Sequence, residues 1–251
     1  MQLYFVDSSL VDLDNNIITI IGDDYHHIKN VMRMKIQDHI IISDEINLYE
    51  VEVINIDQIN NQVITKIITK LDNNKELKVN ITIAQGLVRR EKMEEVIDYI
   101  TELGAANYLP VIMERSIIKL SKDEYIKKID RVNKISKEAS EQSHRLKKLV
   151  VNNLVSFNEL LTLSSQYDLC LVAYEKCDIS STLNKVFKDS TIKNCLVLVG
   201  PEGGISEKEL KELLNNKFIP ISLGPRILRT QVAPYYIMSV IANILEGEED
   251  D

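Results

Sequence analysis

Tryptophan is absent from this sequence, and glycine, proline, cysteine and histidine are scarce, at eight, five, three and four of 251 residues. So little glycine and proline excludes a collagen-like or low-complexity chain. Cys170, Cys177 and Cys195 form no CxxC pair, and the histidines are scattered at positions 26, 27, 39 and 144. That spacing suits neither a zinc site nor a disulfide framework; no metal is expected, and the thiols fit a reducing compartment. Met1–Asp7 carries no basic leader and no long apolar core, and the apolar run from Tyr235 to Leu245 is too short to span a bilayer. A cytoplasmic protein with no membrane partner is expected.

Hydrophobic residues make up 45% of the chain, enough for one large domain or two modest ones. The formal net charge is −8, which by itself speaks against nucleic acid, but its distribution is uneven. Between Arg115 and Lys148 eleven Lys/Arg face five acids, whereas five acids crowd the last six residues, 246–251. The basic segment permits an RNA partner, and the acidic tail is read as solvated.

Residues 1–70 read as short alternating runs separated by Asn15-Asn16 and Asn60-Asn61, the pattern of a small antiparallel β-barrel. Within it Asp23-Asp24 is expected to cap a helix to about Met34 that carries His26, His27, Lys29, Arg33 and Lys35 without an acid. Lys70–Lys78 is polar and turn-rich, and the domain boundary is placed there, giving domains 1–70 and 71–251. Beyond it apolar strands alternate with helices: Val79–Ala84, then a helix Arg89–Leu103 stopped by Gly104, then Asn107–Met113. This half is expected to be α/β with a largely parallel sheet. Ser121 with Glu124 forms a capping box opening one long helix to about His144, and Ser206 with Glu209 forms another. A last helix is expected from about residues 228–230 to Glu246, with Pro234 tolerated in its first turns.

Two loops stand out. Leu196–Val199 breaks into Gly200-Pro201-Glu202-Gly203-Gly204, and Phe218–Leu223 breaks into Gly224-Pro225-Arg226-Ile227-Leu228-Arg229-Thr230. Four of the eight glycines lie in these turns. Each loop follows a buried strand, so the pair reads as two walls of one pocket. A phosphate cradle is disfavoured, because Glu202 repels a phosphate and no Lys-Ser/Thr ending follows. The second loop puts aliphatic side chains beside exposed backbone, the surroundings that a flat heterocycle such as adenine needs. Its arginines suit an anion or a developing oxyanion.

These two loops resemble the signature of the ribosomal RNA small-subunit uracil-N3 methyltransferases, a family in the knotted SPOUT class. Further similarity lies in Thr101-Glu102-Leu103-Gly104 followed by Pro110, in Glu114-Arg115-Ser116, in Glu138–Ser143 with Arg145, and in His27 through Arg33. The resemblance spans nearly the whole chain, in order. It implies an N-terminal PUA-like barrel for RNA, a C-terminal α/β domain with a trefoil knot, S-adenosylmethionine as cofactor, 16S ribosomal RNA as partner, and a homodimer. Carried over residue by residue, it places the cofactor at Tyr174, Val199, Gly200, Glu202, Gly203, Leu223, Gly224, Ile227, Leu228 and Arg229. Catalysis falls to Arg229 and Arg145, and RNA binding to His27, Lys29, Arg33, Arg115, Lys134 and Arg145. Lys92 stands where the family has a Lys-containing loop. The chain departs from the family pattern after Arg229-Thr230, where Gln231-Val232 replaces Glu-Thr. Two alternatives stay open: a ribose 2′-O methyltransferase of the same class, and a non-catalytic RNA-binding assembly factor.

Overall fold

The computed structural model describes residues 1–72, 75–177, 183–187 and 191–247. The chain forms two compact units: 1–76 together with 140–148, and 77–139 together with 149–251. The first unit thus extends past the expected boundary at residue 70. It also takes a piece, Ser140–Lys148, that sequence reading gives to the second. Of the acidic tail, residues 248–251 lie outside the described residues.

In the first unit β1 (Leu3–Phe5), β2 (Val11–Asp12), β3 (Ile17–Ile21), β4 (His39–Ser43), β5 (Leu48–Asp57) and β6 (Gln62–Leu71) form a sheet of order β1-β4-β5-β6-β3-β2. It is mixed and not wholly antiparallel as expected, because β1 runs parallel to β4. Alternation along the strands sends Tyr4, Ile18, Ile20, Ile40, Ile42, Val51, Val53 and Val63 into one core, which Tyr25 and Ile28 complete. Helix α1 (Gly22–His26) continues as a π-helical turn, His27–Val31. Asp23 and Asp24 lie inside its first turn, and its N-cap, Ile21, makes no side-chain cap bond. The expected Asp cap is therefore not formed.

The second unit contains β7 (Asn80–Gly86), α2 (Arg90–Glu102), β8 (Asn107–Ile112), α3 (Lys122–Ile126), α4 (Ile129–Gln142, whose end belongs to the first unit), β9 (Val150–Val151) and β10 (Val155–Ser156). It continues with α5 (Phe157–Leu163), β11 (Leu169–Ala173), α6 (Leu183–Val186), β12 (Asn194–Val199), α7 (Glu207–Asn215), β13 (Ile219–Ile221) and α8 (Val232–Glu246). The sheet runs β10-β8-β7-β12-β11-β13, with β9 beside β8, and every pairing is parallel. The expected α/β class with a largely parallel sheet is what forms.

Period-two alternation divides the central strands between two cores. Ile81, Ile83, Cys195 and Val197 face Val96, Ile97 and Ile100 of α2 and Ile237, Met238 and Ile241 of α8. Ala84, Leu196 and Leu198 face Leu160 of α5 and Leu213 of α7. Covered on both faces, β7 and β12 read as near-continuous apolar runs. Each fully buried Ile, Leu or Val here contributes about 1.5–3 kcal/mol.

Both expected capping boxes are present, at Ser121/Glu124 and Ser206/Glu209, and a third caps α5 at Ser156/Glu159. The helix opened by Ser121 is not continuous, since α3 ends at Ile126 and α4 begins at Ile129. At the end of α4, His144 takes a left-handed conformation (φ +55°). Its amide bonds the Glu141 carbonyl and that of Arg145 bonds Ser140, a Schellman closure that stops the helix. The last helix begins at Val232, so residues 228–230 remain in the loop and Pro234 falls in the first turn. The short α6 stands between β11 and β12.

Candidate active site

At the C-terminal ends of β11, β12 and β13 the two loops meet around a cavity of about 510 Å³. Open parallel sheets bind ligands at this edge, and the volume falls within the roughly 300–1,000 Å³ of small-molecule sites. The cavity is lined by residues 199–205 and 223–231, by Tyr174 and its neighbours at the end of β11, and by Lys92 from the first turn of α2.

A run of buried hydrogen bonds fixes the two loops to each other. The phenol of Tyr108, on β8, donates to Gln85 Oε1 at 2.9 Å. Gln85 Nε2, at the end of β7, donates to the Thr230 carbonyl at 2.8 Å. Thr230 Oγ1 in turn donates to the Gly200 carbonyl at 2.6 Å. Burial raises the Tyr108 pKa well above the usual phenol value, so this first donor keeps its proton.

Gly203 passes so close to the Arg115 backbone that an added Cβ would lie 2.6 Å from the Arg115 carbonyl oxygen. The need for glycine there is steric. Gly224, by contrast, has open space around it and a φ of +99°, so its glycine serves backbone conformation.

Inside the cavity Glu202 Oε1 accepts from Lys92 Nζ at 3.2 Å. Glu202 Oε2 and Gln231 Oε1 are buried acceptors without a hydrogen-bond partner among the described residues. Such atoms are paired in most proteins, so a ligand bringing N–H or O–H donors fits this cavity better than one bringing phosphate oxygens. Arg226 and Arg229 are exposed, Ile227 is 87% exposed, and Val199, Leu223 and Leu228 supply apolar wall.

A family model for an RNA methyltransferase domain matches residues 75–242, and one for an RNA methyltransferase PUA domain matches residues 20–64. The "Ribosomal RNA small subunit methyltransferase E" of Bacillus subtilis is 34% identical over 263 residues, covering 99% of this chain and 100% of its own. The chain belongs to the ribosomal RNA small subunit methyltransferase E family. A solved methyltransferase E from Neisseria gonorrhoeae, bound to S-adenosyl methionine, matches with a TM-score of 0.84 at 22% identity over 97% of this chain and 98% of that one. A Legionella pneumophila protein solved with the same cofactor matches at 0.84 and 24% identity, over 96% of each chain. These two likenesses establish the fold.

In this member of the methyltransferase E family, all ten residues expected around a cofactor, from Tyr174 to Arg229, line the one cavity. Arg145 does not line it. Its side chain is only 4% exposed and pairs with Glu76 of the same unit through Nε–Oε1 at 3.2 Å and Nη2–Oε2 at 2.5 Å. The guanidinium is therefore engaged in a buried ion pair. Of the residues expected to bind RNA, His27 Nδ1 lies 3.0 Å from the Tyr4 hydroxyl, and Lys29 donates to the Tyr25 hydroxyl at 3.1 Å. Arg33 is exposed, Lys134 is exposed beside Glu138 at 3.9 Å, and Arg115 reaches the Ile205 carbonyl at 3.5 Å. Sequence reasoning missed Gln85. Its signal was a lone polar side chain in the stretch Ile83-Ala84-Gln85-Gly86-Leu87-Val88.

Among the described residues no helix is long and apolar enough to cross a membrane, and no group of three or more His, Cys, Asp or Glu is placed to hold a metal.

Proposed function

We propose that this chain is a cytoplasmic, homodimeric methyltransferase that moves the methyl group of S-adenosylmethionine to N3 of a uridine in 16S ribosomal RNA, with the small ribosomal subunit as the setting. The observation that carries this reading is the cavity itself, in which aliphatic walls adjoin backbone and two buried acceptors, Glu202 Oε2 and Gln231 Oε1, lack donors. An adenosine with its hydroxyls, and an amino-acid ammonium, would supply them. The names of the relatives support the 16S assignment, and the two solved neighbours with S-adenosylmethionine support the cofactor. Tyr99 on α2 and Val232 and Tyr236 on α8, apolar residues left exposed on two helices that contact each other, support association of two copies.

Bound there, the cofactor supplies a sulfonium methyl that is already electrophilic. The protein's share is alignment of the nucleophile and stabilisation of its charge. Uracil N3 carries its proton at neutral pH, and losing it spreads negative charge over two carbonyl oxygens. Arg229 lines the cavity, is exposed, and makes no side-chain hydrogen bond or ion pair among the described residues, so its guanidinium is available to those oxygens. Arg145 has no part in this proposal, because Glu76 holds it.

Methyl transfer to 16S RNA from cells lacking the protein, followed by nucleoside analysis, tests the reading. The expected product is 3-methyluridine, lost on Arg229→Ala even at saturating cofactor. A 2′-O-methyl nucleoside, or full turnover by the variant at saturating cofactor, overturns it.

A further inference from the structure

A second cavity, of about 270 Å³, opens in the same unit on the other side of the first turn of α2. Lys92 lines the first cavity, while the N-cap Arg89 and the helical residues Arg90, Glu91 and Met93 line the second, so the first turn of α2 forms a shared wall. The floor is apolar, built from Val88, Met93, Leu120 and the ring of Tyr125. Tyr125 is fully buried and its hydroxyl donates away from the cavity, to the Asn152 carbonyl at 3.2 Å.

The rim is cationic. Arg89 and Lys128 are exposed, and neither side chain makes a hydrogen bond or ion pair among the described residues. Arg90 lies 3.0 Å from Glu94, and Glu91 is the one carboxylate on the rim. An apolar slot with two unpaired cations on its rim complements a group with flat apolar faces and an attached anion. That is the chemistry of an unstacked nucleobase with its phosphate. A triphosphate would find no glycine-rich cradle here, and a purely apolar ligand would leave the cations without use.

Resting on the functional reading above, we propose that this second cavity is an RNA subsite. It would receive a base next to the one being methylated, with Arg89 and Lys128 on the adjoining phosphates. Because the wall is shared, a nucleotide seated here would hold its neighbour over the first cavity.

The test uses the full chain and a 16S transcript. Lys128→Glu, Arg89→Glu and the cavity-filling Leu120→Trp are compared for transcript affinity, for S-adenosylmethionine affinity by calorimetry, and for methyl transfer. A photoreactive residue at position 120 reports the nucleotide in contact. Transcript affinity and KM worsening at least tenfold in the charge-reversal variants and in Leu120→Trp, with cofactor affinity unchanged and a crosslink within a few nucleotides of the methylated uridine, is the expected result. Unchanged transcript affinity with no crosslink overturns the subsite, while 3-methyluridine formation by the wild type leaves the functional reading standing. A crosslink from the photoreactive variant at position 120, with no methyl transfer by the wild type, overturns the functional reading and keeps the subsite.

Discussion

Thr230 Oγ1 donates to the carbonyl oxygen of Gly200 across 2.6 Å, and this contact joins the arginine-bearing loop to the glycine-rich turn. Replacing the hydroxyl by a methyl keeps the shape and strands a carbonyl that has no other hydrogen-bond donor among the described residues. Thr230→Val should therefore lower stability by about 1 kcal/mol, the low end for a stranded group, because the Gly200 carbonyl is only partly buried. It should also weaken cofactor binding, since both walls of the cavity depend on this contact. Urea denaturation and calorimetry check the two effects; a variant with wild-type cofactor affinity would show that the loops hold their positions without it.

The pair of Arg145 with Glu76 yields a prediction of the opposite kind. Removing one partner of a buried pair leaves an uncompensated charge, at about 3–5 kcal/mol. Arg145→Met should destabilise the first unit by that order in denaturant titration, while cofactor affinity in the folded variant stays at the wild-type value. A large loss of cofactor affinity with unchanged stability would return Arg145 to the site.

The three thiols should differ in reactivity. Burial pushes the Cys170 thiol up to about 11, and burial followed by the neighbouring Cys170 pushes Cys195 higher still. Cys177 is only half-buried, with its sulfur 3.4 Å from the Pro220 carbonyl. At pH 8 a maleimide should modify Cys177 alone in the native protein and all three cysteines in denaturant, as read by peptide mass spectrometry.

Glu159 should titrate far below the ordinary carboxylate range. The hydrogen bond from Lys122 at 2.6 Å, then the backbone and hydroxyl of Ser156, hold its carboxyl down to about 2. With the folded value below the unfolded one, its contribution is present above the ordinary carboxylate pKa and disappears as pH falls through about 2. A carboxyl-resolved NMR titration should find that midpoint, and Lys122→Met should raise it.

The parts of the fold that were legible in the sequence are those set by local rules. The Ser-x-x-Glu boxes at 121 and 206 cap helices as their spacing requires, and the box at Ser156 carries the same pattern. The apolar runs of the second unit became buried parallel strands because both faces are covered. The two loops could be read as one pocket because each follows a strand of the same sheet. What periodicity could not show is pairing across long separations. The parallel contact of β1 with β4 is one case, and the capture of Arg145 by Glu76, sixty-nine residues earlier, is another. A basic residue at a helix end looks available until the carboxylate that meets it is known. The break between α3 and α4 falls at Lys127-Lys128, where no proline or glycine announces it.

The nine residues Ser140–Lys148, counted within the first unit although sixty-three residues of the second precede them, govern the order in which the protein can be completed. As the chain is synthesised, the first domain lacks the Leu146 carbonyl that accepts from Ser43, the guanidinium that neutralises Glu76, and the ammonium that meets Glu45. It must wait for residue 148 before it closes. A truncation at the apparent boundary, residue 76, would consequently release an unfinished domain, and a genetic separation of the two halves would have to carry this strip along with the first.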